Sequence, residues 1–300
     1  MERIDICCIG HITLDKVVTT RSAVFMAGGT AFYFSNALSR MDVRYQLVTA
    51  VASDGMAGVT NLRLAGVDVT VLPSAHTVYF ENIYGENQDH RTQRVLRTAD
   101  PFPAAALTEA EARFFHLGPL LADDMPLELI RTLSAKGKIS LDAQGYLRKV
   151  VDNRVIPVDW PEKREALRFV SILKTNEAEM AVLTGQNGIR AGAKILADWG
   201  VKEVVITLGS QGSVIYVDQR FYDIPAYAPT TSVVDATGCG DTYMAGYLYQ
   251  RSKGMPVQGA GEFAAAMATL KIEGSGPFNG TEDDVLELLA SRQGTAFVSR

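Results

Sequence analysis

Short apolar runs alternate along this chain with longer amphipathic stretches. The first run, "IDICCIG" at residues 4–10, is continuous and ends in glycine, the pattern of a strand buried on both faces. "YQLVTAVA", "ARFFHLG", "GKISLDA", "RFVSILK" and "EVVITLG" repeat the pattern. Between them "AFYFSNALSRM", the stretch from Gly55 to Ala65, "MPLELIRTLSA", "NEAEMAVLTG" and "AGAKILADWG" have helical length. The last two end in the glycine that often follows a helix, and "EFAAAMATLKIEG" is a further, alanine-rich helix. Strand and helix in alternation predict an α/β fold, with helices on both faces of a mostly parallel sheet.

Two stretches break the rhythm. Residues 16–26 and 76–98 carry short β-prone runs with polar interruptions, and "TVYFENIYGENQDHRTQRVLRT" reads as an antiparallel hairpin with one wet face. We expect them to pair as a small β-lid, formed by about 12–27 and 75–100 and inserted in a single domain spanning 1–300. The open edges of such a lid make a homodimer through it one option.

Composition narrows the function classes. The chain has 300 residues, 47% of them hydrophobic, and a net charge of −5. That balance argues against nucleic-acid or membrane-surface binding. No apolar run is long enough for a membrane span, and the N-terminus lacks the parts of a signal peptide, so a cytoplasmic location is expected. Cys7, Cys8 and Cys239 are read as reduced thiols, and the four histidines lack metal-ligand spacing.

No P-loop, no dinucleotide-binding glycine fingerprint and no nucleophile elbow is present. The candidate chemistry lies instead in "VDATGCGDTYMAG" at 234–246. Glycines bring backbone N–H groups close to a ligand. If a helix begins near Gly240, its first N–H groups form an anion site and hold Asp241 ionised, ready to accept a proton. An anion hole beside a carboxylate suits phosphoryl transfer to a hydroxyl. On spacing alone, a capping turn with an acid at a helix start fits as well.

"DATGCGD" resembles the D-T-x-G-A-G-D signature of the ribokinase-like, or PfkB, carbohydrate kinases. Other pieces match in the same order: "GHITLDKV" with Asp15, "AGGTAFYFSNAL" with Gly28 and Gly29, "VASDGMAG", "NEAE" at Asn176 and Glu179, and "TLGSQGS" at Thr207, Gly209 and Gly212. The resemblance implies a three-layer α/β/α ribokinase-like core with a β-sheet lid. It implies an enzyme that phosphorylates a hydroxyl of a small sugar or polyol with ATP and Mg²⁺, a monovalent cation being a further option. By carry-over, Asp241 is the catalytic base, with the anion hole around Gly238, Cys239 and Gly240. Asp15, Gly28, Gly29 and Tyr33 fall on the substrate side, and Thr207, Gly209, Gly212 and Asn176 on the nucleotide side. Glu179 would act on Mg²⁺ through water, and the helix at 263–272 would flank the nucleotide.

Several positions depart from the pattern. Cys239 stands where the family has alanine; an acidified thiol is one reading and a small packed residue the favoured one. Ala236 replaces a threonine. Phe32 and Tyr33 stand near the place of a sugar-contacting asparagine, which leaves a nucleoside or a cyclitol such as inositol open as acceptor. A homologue that binds sugar or nucleotide without catalysis is the alternative of a different class. Asp142 in "SLDAQG" and Arg148 are weaker candidates for the phosphate side, read first as a turn aspartate and a solvated arginine.

Overall fold

The computed structural model describes residues 3–18, 23–84 and 91–295. The chain opens with β1 (Ile4–Gly10), β2 (Thr13–Val18), β3 (Ala23–Gly28), α1 (Thr30–Leu38), β4 (Tyr45–Val51), α2 (Met56–Leu64) and β5 (Asp68–Pro73). It continues with β6 (Val78–Tyr84), β7 (Arg91–Arg97), β8 (Ala112–Gly118), α3 (Leu127–Ser134), β9 (Lys138–Asp142), β10 (Arg148–Val151), β11 (Arg154–Pro157) and α4 (Lys163–Ala166). The remainder is β12 (Val170–Asn176), α5 (Glu177–Thr184), α6 (Ile189–Asp198), β13 (Glu203–Thr207), β14 (Ser213–Val217), β15 (Arg220–Ile224), α7 (Cys239–Ser252), α8 (Val257–Ile272) and α9 (Glu282–Thr295).

The larger sheet has the order β15-β14-β13-β12-β9-β8-β1-β4-β5. It is parallel from β13 to β5, and β14 and β15 close it as an antiparallel hairpin. Each central strand is apolar on both faces because each face is covered. In β1, Ile6 and Cys8 join the core under α1, α7 and α8, while Cys7 and Ile9 join the core under α3, α5 and α6. Each fully buried aliphatic side chain of this kind contributes about 1.5–3 kcal/mol relative to exposure. The period-2 geometry also explains why two adjacent cysteines stay free: they point into opposite cores.

The second sheet has the order β10-β11-β7-β6-β2-β3, with β2 and β6 parallel and the other pairs antiparallel. It holds β2, β3, β6 and β7, which fall in the segments 12–27 and 75–100; residues 19–22 and 85–90 lie outside the described residues. It also holds the hairpin β10–β11, which the sequence reading left out. Its turn runs through Asp152 and Asn153, both at positive φ, as a two-residue hairpin turn requires. One face of the sheet looks across a cavity at the carboxyl ends of β9, β12 and β13, the edge where ligands gather in open α/β sheets.

Candidate active site

A cavity of about 720 Å³ lies between the two sheets. Its lid side is one face of the small sheet. On β2 the alternating residues Thr13, Asp15 and Val17 face it; Met26 of β3, Phe80 and Asn82 of β6 and Gln93 of β7 lie beside them. Cross-strand register sets these neighbours, with Asp15 opposite Met26 and Phe80, Val17 opposite Asn82, and Asn82 opposite Gln93. Thr13 Oγ1 donates to Asp15 Oδ1 at 2.7 Å, and Gln93 Nε2 to Asn82 Oδ1 at 3.0 Å.

The floor of the cavity is built from strand ends and from the start of α7. Gly238 takes a left-handed φ of 78°, which turns the chain into α7, and no side chain caps the helix there. The helix begins at Cys239, one residue before the expected start. Gly238, Gly240 and Asp241 all line the cavity, as do Asp235, Ala236 and Thr237. Uncapped N–H groups and the helix dipole give this end the chemistry to receive an anion. The Cys239 N–H is the exception, since it donates to the Ala236 carbonyl at 3.2 Å.

Beside that helix end lies a buried pair: Asp142, a weaker candidate in the sequence, and Lys174, which the sequence reading misses. Lys174 Nζ donates to Asp142 Oδ2 at 2.8 Å, with little of either side chain exposed. Burial alone would raise the Asp142 carboxyl, but the Lys174 ammonium and the Gln144 N–H hold it below its ordinary value. Burial likewise works against the Lys174 charge, and Asp142 and Glu179 more than restore it. Both groups are therefore ionised. A Cβ placed on Gly240 would stand 3.1 Å from Lys174 Nζ, so the ammonium and the start of α7 face the same point. Arg148 also lines this end.

Asp241 itself corrects the expectation of a firmly ionised acid. Its residue surface is only part-buried, because it opens onto the cavity. The walls enclose the carboxyl so deeply that loss of hydration is the largest influence on its ionisation. Burial first, and Asp142 next, push it up to about 7, against Lys174, a hydrogen bond with Thr30 and Arg148. A base poised near neutrality is better matched to proton transfer than a fully acidic one. Thr30, directly after the double glycine, is a second residue missed in the sequence reading.

The remaining sequence candidates divide by position. Gly29, Tyr33, Asn176 and Thr207 line the cavity. Gly28 packs under Asp15, where a Cβ would come 2.5 Å from Oδ2. Gly209 and Gly212 form the turn between β13 and β14, both at positive φ. Asn176 and Glu179 cap each other at the start of α5: the Glu179 N–H donates to Asn176 Oδ1 at 2.8 Å, and the Asn176 N–H to Glu179 Oε2 at 2.9 Å. The Glu179 carboxyl is raised by burial and by Asp142. Burial pushes the Cys239 thiol up to about 11, the direction of a packed neutral thiol rather than an acidified one. Phe263, Ala264 and their neighbours on α8 pack into the core.

The described residues contain no group of three or more His, Cys, Asp or Glu side chains placed to hold a metal ion together. The donor set nevertheless fits a hydrated Mg²⁺. Asp142 raises both the Glu179 and the Asp241 carboxyls, against Lys174 and Arg148, so these carboxyl groups lie close enough to accept hydrogen bonds from the water shell of one ion. Mg²⁺ commonly keeps several waters and uses few protein ligands.

Comparison with known proteins identifies the class. The family model for pfkB family carbohydrate kinases matches residues 3–284. A cytidine kinase of Thermococcus kodakarensis is 28% identical over 265 residues, covering 85% of this chain and 91% of the relative. The structure of a pyrophosphate-dependent kinase of the ribokinase family, complexed with a pyrophosphate analog and myo-inositol, is 29% identical with a TM-score of 0.82, covering 94% of this chain and 99% of that one. Arabidopsis thaliana ribokinase, complexed with ribose and ATP, shares the fold at a TM-score of 0.77 and 20% identity, covering 96% and 99%. The chain belongs to the pfkB family of carbohydrate kinases and is a phosphotransferase of the sugar, nucleoside and cyclitol kinase class.

Proposed function

We propose that the protein transfers the γ-phosphoryl group of ATP to a hydroxyl of a small sugar or polyol held between Asp15 and Asp241. The observation that carries this reading is that both carboxylates line one cavity, with the start of α7 and Lys174 at its donor end. Asp15 would accept hydrogen bonds from acceptor hydroxyls, and the amides of Asn82 and Gln93 can satisfy others. Val17, Met26, Phe80 and Tyr33 supply apolar surface for the carbon skeleton. This mixture suits a polyhydroxylated ring. A ribose-bearing nucleoside or an inositol fits the same chemistry, in keeping with the named relatives.

Asp241 accepts the hydroxyl proton as the acceptor oxygen bonds to phosphorus and the bond to the leaving phosphate breaks. Gly238 and Gly240 N–H groups, with Lys174, stabilise the charge on the transferred group. Asn176 and Thr207 contribute to the donor side. Mg²⁺, held through water by Glu179 and Asp142, would neutralise donor phosphate charge. The two sheets would act as one catalytic unit, the small sheet excluding water as a lid does.

Pyrophosphate is the second donor reading. It is favoured by the 29% identity to a pyrophosphate-dependent kinase and by the buried ammonium at the donor end. We also propose a homodimer through the small sheet. Its edge strand β3 is open and carries Phe25 at 65% and Val24 at 53% exposure. The buried free Cys7 and Cys8 suit a reducing cytoplasm.

The test is a matrix of donors (ATP, pyrophosphate) against acceptors (ribose and other sugars, inositols, nucleosides), with products read by phosphorus NMR. A phosphomonoester of one acceptor class supports the reading. Ligand binding without phosphoester from any pair would show a non-catalytic binding protein instead.

A further inference from the structure

Lys271 lies in the last turn of α8, and its side chain is fully buried. Lysines at helix ends ordinarily reach into water while complementing the dipole. This one turns inward, beneath the loop that enters α7. Its Nζ donates to the Asp235 carbonyl oxygen at 2.7 Å and stands 3.5 Å from Asp235 Oδ2. Burying an ammonium is costly unless it is well paired, and a carbonyl with a more distant carboxylate is a thin partnership for that cost.

The position explains the expense. Asp235 lines the cavity, three residues before Gly238. Its Oδ1 accepts the Thr237 N–H at 2.9 Å, which shapes the turn leading to the anion site. The same segment hangs from the end of α8 at two further points: the Val234 and Asp235 N–H groups donate to the Ile272 carbonyl at 2.9 and 3.3 Å. Lys271 thus supplies a fixed positive charge to the loop carrying the phosphate-binding N–H groups. A carbonyl oxygen and a carboxylate oxygen around one unit charge are also the ligands an alkali cation takes in place of its water.

We infer that Lys271 is a tethered monovalent cation, a positioning residue whose ammonium fixes the Asp235–Gly238 loop so that phosphoryl transfer needs no free K⁺ or NH₄⁺. The activity arm of its test rests on the kinase reading; the binding arm does not.

The experiment compares the wild type with Lys271→Ala, which opens space for a free cation, and Lys271→Met, which keeps the bulk and removes the charge. Initial rates and melting temperatures are measured in about 100 mM KCl, NH₄Cl or choline chloride, so that ionic screening is matched. Wild-type rates should agree within about twofold across the salts, whereas both variants in choline should lose about tenfold or more in turnover, as expected for a displaced reaction centre. K⁺ or NH₄⁺ should restore much of the K271A loss and raise its melting temperature over choline, and should do neither for K271M. The inference is overturned by a wild-type rate that climbs about tenfold with K⁺, by variants as fast as wild type, or by a folded, slow K271A that neither cation rescues or stabilises. Should K271A not fold, the wild-type salt series and the K271M rate decide. Should the wild type transfer phosphate with no donor and acceptor pair, the kinase reading falls while the melting comparison still judges Lys271.

Discussion

Lys174 and Asp142 stand opposite each other in the register of β12 and β9, their charged atoms 2.8 Å apart in a buried pair beside the start of α7. Removing the ammonium as Lys174→Met leaves a buried carboxylate unpaired, which costs about 3–5 kcal/mol. It also takes away a charge that opposes the rise at Asp241. Urea denaturation at neutral pH should show that loss of stability. Turnover should fall by roughly 10²-fold, the scale of a lost electrostatic stabiliser.

The raised Asp241 carboxyl sets a pH dependence with a definite sign. Below about 7 the group holds its proton in the free enzyme and cannot act as a base. The profile of kcat/KM should therefore rise with pH and level off above that value. Stability runs the other way. In the unfolded chain the acid ionises near 3.8, so the folded state gives up stability as pH climbs from there through about 7. Asp241→Asn carries no such loss. It should be more stable than wild type at pH 8, by about 2–4 kcal/mol after allowing for the carboxyl's opening to the cavity, and the difference should vanish near pH 4. Thermal melts across that range check the sign.

Tyr33 packs directly against Gly238: a Cβ on that glycine would come within 2.2 Å of the Tyr33 ring. Gly238→Ala therefore meets both a left-handed φ and a clash, and should cost at least roughly 10²-fold in activity, as a misplaced reacting group does. Tyr33→Asn enlarges the acceptor side and leaves the residues of the loop itself unchanged. It should broaden acceptor choice, raising kcat/KM for bulkier acceptors relative to the native one, as a competition assay between acceptors would show.

Asp15 predicts a selective effect on the acceptor. A hydrogen bond to a charged partner contributes about 1.5–3 kcal/mol. Asp15→Ala should raise the acceptor KM by at least roughly tenfold and leave the donor KM within about twofold, a split that initial-rate kinetics resolves.

The legible parts of this molecule are the local ones. "DATGCGD" and "AGGTAF" mark their loops because glycine and acid at fixed spacing act within a few residues, and continuous apolar runs mark the central strands. Lys174 escaped because its partner is 32 residues away and only strand register brings them together. Its one local signal is a cation inside the apolar run "RFVSILK", where a strand covered on both faces has no room for an unpaired charge. The β10–β11 and β14–β15 hairpins escaped because their turns use Asp152-Asn153 and Asp218-Gln219 at positive φ, without the glycine that usually advertises such a turn. The poise of Asp241 was misread because the helix dipole is visible in sequence, while the enclosing walls and Asp142 are not.

The account turns on Asp241 as the group that takes the acceptor's proton, and the most direct measurement is the turnover of Asp241→Asn with a competent donor and acceptor, alongside donor affinity by calorimetry. The predicted result is a fall of at least roughly 10²-fold in kcat with donor affinity little changed, the signature of a lost general base. A folded variant that turns over at close to the wild-type rate would contradict it.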